Sequence, residues 1–227
     1  MKRLLLTMFA AGICTATAGT ISFTGDLRND ANVISCGSGC TLDASSSDGD
    51  YAQWAAVVDS FTVSTTSAMQ AVTFSYGGGV NGAGTPIAEG GFEPYLSLFD
   101  AGGNVLGSTF FGTTCPAGAN TNSVSGQCFD VSLDGGVLAP GTYQIAISAF
   151  ENMSFAENFG SGTLADGFTG LGNLAPGEDL HYAFDVDLTP TAATPEASSS
   201  WLGALLAFAV ICFFKRRNGG SVIRFRP

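Results

Sequence analysis

Few residues in this chain are equipped for catalysis. Among 227 residues there is one histidine, His181, and 19 acids stand against 8 bases. General acid-base work draws mostly on histidine or on a placed carboxylate. His181 falls on the polar side of the alternating run Leu180 to Leu188, where a solvated surface side chain is the simpler assignment. No G-x-S-x-G elbow and no H-E-x-x-H zinc motif occurs. Gly77-Gly78-Gly79-Val80-Asn81-Gly82 has the spelling of a dinucleotide loop, but Ala83-Gly84-Thr85-Pro86 follows it. That continuation cannot open the helix whose amides would hold a pyrophosphate. Paired-carboxylate hydrolysis stays open, yet no spacing singles out a pair.

Hard oxygen ligands come next. Asp48-Gly49-Asp50 and Asp100-Ala101-Gly102-Gly103-Asn104 make Asp48, Asp50, Asp100 and Asn104 the calcium candidates. Neither loop completes an EF-hand, and acidic turns are more often solvated than metal-bound. Calcium is the one cofactor the acidic excess suggests. Trp54 beside Tyr51, and Phe110-Phe111, are large enough to stack on sugar rings, or to fill a core.

The charges are segregated. Lys2 and Arg3 stand at the start, and Lys215, Arg216, Arg217, Arg224 and Arg226 at the end. Between Gly19 and Trp201 lie all 19 acids and one base, Arg28, for a net charge near −18 with no lysine. Phosphate binding needs clustered Lys and Arg, so nucleic acid is excluded as a partner. A membrane imposes such a pattern, because basic residues stay on the cytoplasmic side. Met1-Lys2-Arg3, the apolar run Leu4 to Ile13 and the small residues Ala16-Thr17-Ala18 read as a signal peptide over residues 1–18, cleaved after Ala18. Trp201 to Phe214 is apolar throughout and is followed at once by Lys215-Arg216-Arg217. Extended back through Ala197, it reads as a transmembrane helix with a basic cytoplasmic tail at 215–227.

Between the exported part and that helix runs a Pro/Thr/Ser linker, 189–200, containing Pro195-Glu196. The motif, the apolar helix and the basic cluster together resemble a PEP-CTERM sorting signal, with Ala197 standing where that family has a second proline. The resemblance implies processing at Pro195-Glu196 by an exosortase, a membrane protease-transpeptidase, and export to the surface of Gram-negative bacteria that make extracellular polysaccharide. A permanently anchored single-span protein has the same layout and remains the alternative.

From Gly19 to Leu188, short apolar stretches alternate with Gly, Asn, Asp and Ser turns, the pattern of an all-β domain. Period-two alternation predicts strands at Val57-Asp59-Phe61-Val63, Val72-Phe74-Tyr76, Tyr143-Ile145-Ile147 and Leu180-Tyr182-Phe184-Val186-Leu188. Weaker candidates are 21–23, 95–99, 105–111 and 129–133. About eight strands predict a jelly-roll-like β-sandwich over 19–188. Its four cysteines, Cys36, Cys40, Cys115 and Cys128, allow three pairings. An exported domain favours disulfides, and the sequence-local pairing, Cys36 with Cys40 and Cys115 with Cys128, is the expectation. A zinc site is the less fitting alternative for that spacing.

Ser75-Tyr76-Gly77-Gly78-Gly79, then Gly90-Gly91-Phe92-Glu93-Pro94-Tyr95-Leu96-Ser97-Leu98-Phe99-Asp100, then Leu138-Ala139-Pro140-Gly141-Thr142-Tyr143, resemble an uncharacterised family of PEP-CTERM proteins. Its sandwich is similar to the bacterial pre-peptidase C-terminal domain. The expectation is therefore a non-catalytic surface or matrix protein, processed by an exosortase and associated with extracellular polysaccharide. The alternatives are a carbohydrate- or protein-binding module, with or without calcium, and a secreted hydrolase.

Overall fold

The computed structural model describes residues 18–34, 51–109, 114–158 and 161–191. The chain divides into two units, Met1–Thr191 and Ala192–Pro227, and the β-sheets all belong to the first. The expected signal peptide up to residue 17, the pair Cys36 and Cys40, Asp48, Asp50, Pro195, Glu196, the apolar helix and Lys215 to Arg217 lie outside the described residues. No helix among the described residues is long and apolar enough to cross a membrane.

The domain is all-β and antiparallel. Two sheets carry most of it. One orders β1 (Gly19–Asp26), β11 (His181–Pro190), β4 (Ser67–Thr73) and β9 (Ser132–Leu138). The other orders β2 (Val33–Ile34), β3 (Ala56–Val63), β10 (Gly141–Ala149), β7 (Pro94–Asp100) and β8 (Val105–Thr109). A small hairpin of β5 (Gly79–Val80) and β6 (Pro86–Ile87) stands apart. Helical structure among the described residues is confined to α1 (Tyr51–Trp54), α2 (Phe155–Asn158) and a 3₁₀ turn at Leu164–Asp166.

One core joins the two large sheets. Val57, Phe61 and Val63 of β3, Leu96 and Leu98 of β7, and Ile145 and Ile147 of β10 pack with Met69 and Ala71 of β4, Leu133 of β9 and Tyr182, Phe184 and Val186 of β11. Spacing of two along each strand sends these residues to one side, which is why alternation found β3, β10 and β11. Phe184 is fully buried and stacks on Phe23 of β1 at 4.8 Å between ring centres.

Elsewhere the alternation chose the wrong face. It sends Val72-Phe74-Tyr76 inward, but β4 ends at Thr73 and its inward residues are Met69 and Ala71. Val72 and Phe74 instead form a second apolar cluster with Ala183, covered by Ile87 and Ala119. A sheet buried on both faces loses the polar beat that marks its outer side. The expected strand at 129–133 begins only at Ser132, and just before it the Asp130 carboxylate accepts from the turn at Tyr76-Gly77.

Register fixes which end is which. Gly19 pairs with Leu188, and Pro190 with Ser67, while the turns at 64–66, 101–104 and 139–140 close the same end. The connections 27–55, 74–93, 110–131 and 150–180 all leave and return at the opposite end, where Asp26 pairs with His181 and Ala149 with Pro94. Loops are where binding groups usually sit, and the four long ones start and finish at this end, although two reach back along the sheets: the Leu164 N–H donates to the Gly103 carbonyl and the Ala83 N–H to Ser22 Oγ.

Candidate functional site

At this loop-rich end, Asp130 organises the first half of the site. It is 1% exposed. Its Oδ2 accepts the Gly77 N–H at 2.7 Å, and its Oδ1 accepts the Thr73 hydroxyl at 2.9 Å and the Tyr76 N–H at 3.2 Å. Burial pushes its carboxyl above the ordinary range, while these donors pull the other way. The turn Ser75-Tyr76-Gly77 thereby has a carboxylate where a longer ladder would have placed carbonyls. Gly77 has no room for a side chain: a Cβ there would lie 1.8 Å from the Asn120 carbonyl oxygen. The residues that spell the dinucleotide loop thus form a packed turn running into β5, with no helix behind it.

Cys115 and Cys128 are disulfide-bonded, Cα atoms 5.4 Å apart, and close the segment that delivers Asp130. Its apex is held by Glu89, which accepts the Ser123 N–H at 2.6 Å and the Ser123 hydroxyl. Asn122 Oδ1 accepts the N–H groups of Val124 and Ser125, and the Tyr76 hydroxyl donates to Ser125 Oγ.

Tyr76, Glu89, Asn122, Val124, Pro176 and Glu178 are among the residues lining a cleft of about 350 Å³. Val124 is 92% exposed at its rim. Glu178 Oε2 accepts the Ala175 N–H at 2.8 Å, and its Oε1 has no partner. Burial raises the Glu178 carboxyl, and burial, then Glu178, then Glu151 raise that of Glu93. Two carboxylates, Glu89 and Glu178, line it with the hydroxyls of Tyr76 and Ser125 and the Asn122 amide, a lining that suits a ligand carrying hydroxyl or ammonium groups.

His181 stands at the same end, where it begins β11. Its Nδ1 lies against Asp179 Oδ1, and its Nε2 donates to the Ala88 carbonyl at 3.2 Å. It is a clasp between two loops rather than the solvated side chain expected.

Asp100 and Asn104, the calcium candidates within the described residues, do meet, across the β7–β8 turn at the end where Gly19 lies. Asp100 accepts the N–H groups of Gly102 and Asn104 and the Asn104 amide, chiefly the last of which holds its carboxyl below the ordinary range. These oxygens are engaged by their own turn, in the manner of an Asx turn. Ala18 is exposed and immediately precedes β1. Tyr51 packs against the core and donates to the Leu27 carbonyl at 2.8 Å. No group of three or more His, Cys, Asp or Glu residues placed to hold a metal occurs among the described residues.

Sequence reasoning passed over Asp130, Asp59, Glu89 and Glu178. Two of them left a trace: an acid inside the apolar runs Phe129-Asp130-Val131 and Val57-Asp59-Phe61.

No family model matches the chain, and no curated protein matches it.

Proposed function

We propose that the chain is an exported, non-catalytic cell-surface or matrix protein. An N-terminal signal delivers it, the apolar segment Trp201 to Phe214 holds it in the membrane, and an exosortase then processes it at Pro195-Glu196 for association with extracellular polysaccharide. The observation that carries this reading is the pairing of Gly19 with Leu188. The first residue after the expected cleavage and the strand leading to the Pro/Thr/Ser linker leave from one end, so a tether there leaves the Asp130 turn and the cleft beside Glu178 at the other. The Cys115–Cys128 bond supports an oxidising destination.

Strand order supports the finer, jelly-roll assignment. Counting the eight strands of five or more residues, first-last-third-sixth faces second-seventh-fourth-fifth. His181 supports the non-catalytic reading, because both its ring nitrogens are engaged by Asp179 and Ala88. Fractionation of cells that make the full chain tests the proposal: the protein belongs with the polysaccharide layer, and its retention in the cytoplasm would refute it.

The cleft beside Glu178 favours a second reading, a binding module for polysaccharide. Calorimetry of the full chain with the cell's own polysaccharide tests it: heat that disappears in Glu178→Gln supports the module, and no heat refutes it.

A further inference from the structure

Asp59 lies on the inward side of β3, in the row Val57-Asp59-Phe61-Val63, and is 7% exposed. Its Oδ1 accepts the Asn32 side-chain amide at 2.8 Å. Its Oδ2 is buried and has no hydrogen-bond partner. The backbone N–H of the same Asn32 donates to Asp30 Oδ1 at 2.8 Å, so one asparagine spans two carboxylates. Asp30 Oδ2 accepts the Tyr182 hydroxyl. Both acids press on that phenol, which burial and then its bond to Asp30 push above the ordinary tyrosine range. Gly25 makes room for that bond, since a Cβ there would lie 2.6 Å from the Tyr182 hydroxyl and 2.8 Å from Asp30 Oδ2.

A buried carboxylate with one oxygen unpartnered is costly, and proteins answer it with an arginine, a lysine, a metal or a bound proton. This domain has no such residue to give. Arg28 is the sole base between Gly19 and Trp201, and it lies against Asp26 at 3.5 Å. No cationic side chain among the described residues answers Asp59, which leaves a proton or a cation from solution to do so. Asp30 and Asp59 offer hard oxygens and the Tyr182 hydroxyl a neutral one, with neither thiol nor imidazole among these donors. That donor set selects a hard divalent cation with flexible coordination over zinc or copper.

We propose that Asp59 and Asp30 bind a calcium ion at the loop-rich end of the domain. The site is distinct from the Asp100 turn, which has no buried oxygen left unpartnered as Asp59 Oδ2 is, and it stands whether or not the chain is exported as proposed. The ion neutralises Asp59 and ties the segment after β1 to β3 and β11, so that its loss loosens this end first.

Terbium substitutes for calcium and emits when a nearby tyrosine is excited, and Tyr182 is in place to sensitise it. With the full chain, the expected result is saturable emission at one ion per chain, displaced by calcium. Emission falls about tenfold or more in Asp59→Asn and in Asp30→Asn, and is unchanged in Asp100→Asn. Asp59→Asn keeps the shape and removes the charge, so its melting temperature with a chelator equals or exceeds that of the parent and no longer rises with calcium. Should either variant fail to fold, the other still reads the site. Absence of sensitised emission from the parent chain, or emission that survives both substitutions, would overturn the proposal.

Discussion

Asp130 and Gly77 meet across 53 positions of sequence, carboxylate to backbone N–H at 2.7 Å, and this contact joins the disulfide-closed segment to the turn that floors the cleft. Asp130→Ala removes the acceptor from three buried donors at once. Unfolding of the variant by urea should show a loss of about 2–4 kcal/mol, with Asp130→Asn losing less. A loss within experimental error of zero would contradict the role of this carboxylate.

Glycines in the same region should behave very differently from one another. Gly77→Ala drives a Cβ against the backbone of Asn120, whereas Gly84, at φ +77°, has nothing within 4 Å of a Cβ. Gly84→Ala then pays only for its left-handed backbone, about 1 kcal/mol, while Gly77→Ala costs several times as much or prevents folding. Thermal melts of the two variants side by side give the comparison, and equal losses would refute it.

Stability should rise on mild acidification. Burial is the largest cause raising the carboxyls of Asp59, Glu93, Asp130 and Glu178 in the folded chain. For Asp59, Asn32 opposes that rise and Asp30 adds to it. An acid raised by folding gives its full stabilisation below its unfolded value and loses it as pH climbs through its folded value. Glu89, Asp100 and Asp166 are lowered by hydrogen bonds from Ser123, Asn104 and Thr163, so their share is lost as pH falls below the ordinary carboxylate range. All three lie at the surface and weigh less. In chelator, the melting temperature should climb from neutral pH toward about 5 and drop again below about 4. A midpoint that falls steadily from neutral to acid would contradict this balance.

Reduction should loosen the site as well as the fold. The Cys115–Cys128 bond spans a sequence separation of 13, and a loop of that size contributes about 3 kcal/mol in the chain-entropy description. The double variant Cys115→Ser/Cys128→Ser should lose about 2–3 kcal/mol in denaturant unfolding. Because Asp130 is two residues from Cys128, hydrogen exchange at the Gly77 amide should accelerate in the same variant. An unchanged Gly77 amide would separate the disulfide from the turn.

Strands were legible where the outer face keeps a polar residue even when buried, as Asp185 does. Along β11, Tyr182, Phe184 and Val186 face the core while Asp185 accepts from Ser22 and Gly82 on the outer side, so the alternation survives in the sequence. On β4 it does not, because Ile87 and Ala119 bury Val72 and Phe74 on the outer face. The candidate site was legible only in fragments. Asp59 stood visibly inside an apolar row, but its neighbours Asn32 and Asp30 lie on a different stretch of chain, and nothing local announces the meeting. The segregated charges carried the export reading, while the emptiness of the domain in basic residues acquired its meaning only once a buried carboxylate was found with one oxygen unpartnered.

Intact-mass spectrometry of the protein recovered from the cells that make it tests the central claim most directly. Export with processing predicts a chain that begins at Gly19, lacks the Trp201 to Phe214 segment and the basic tail, and ends within the linker at 189–200. A chain that still runs from Met1 to Pro227 would contradict it.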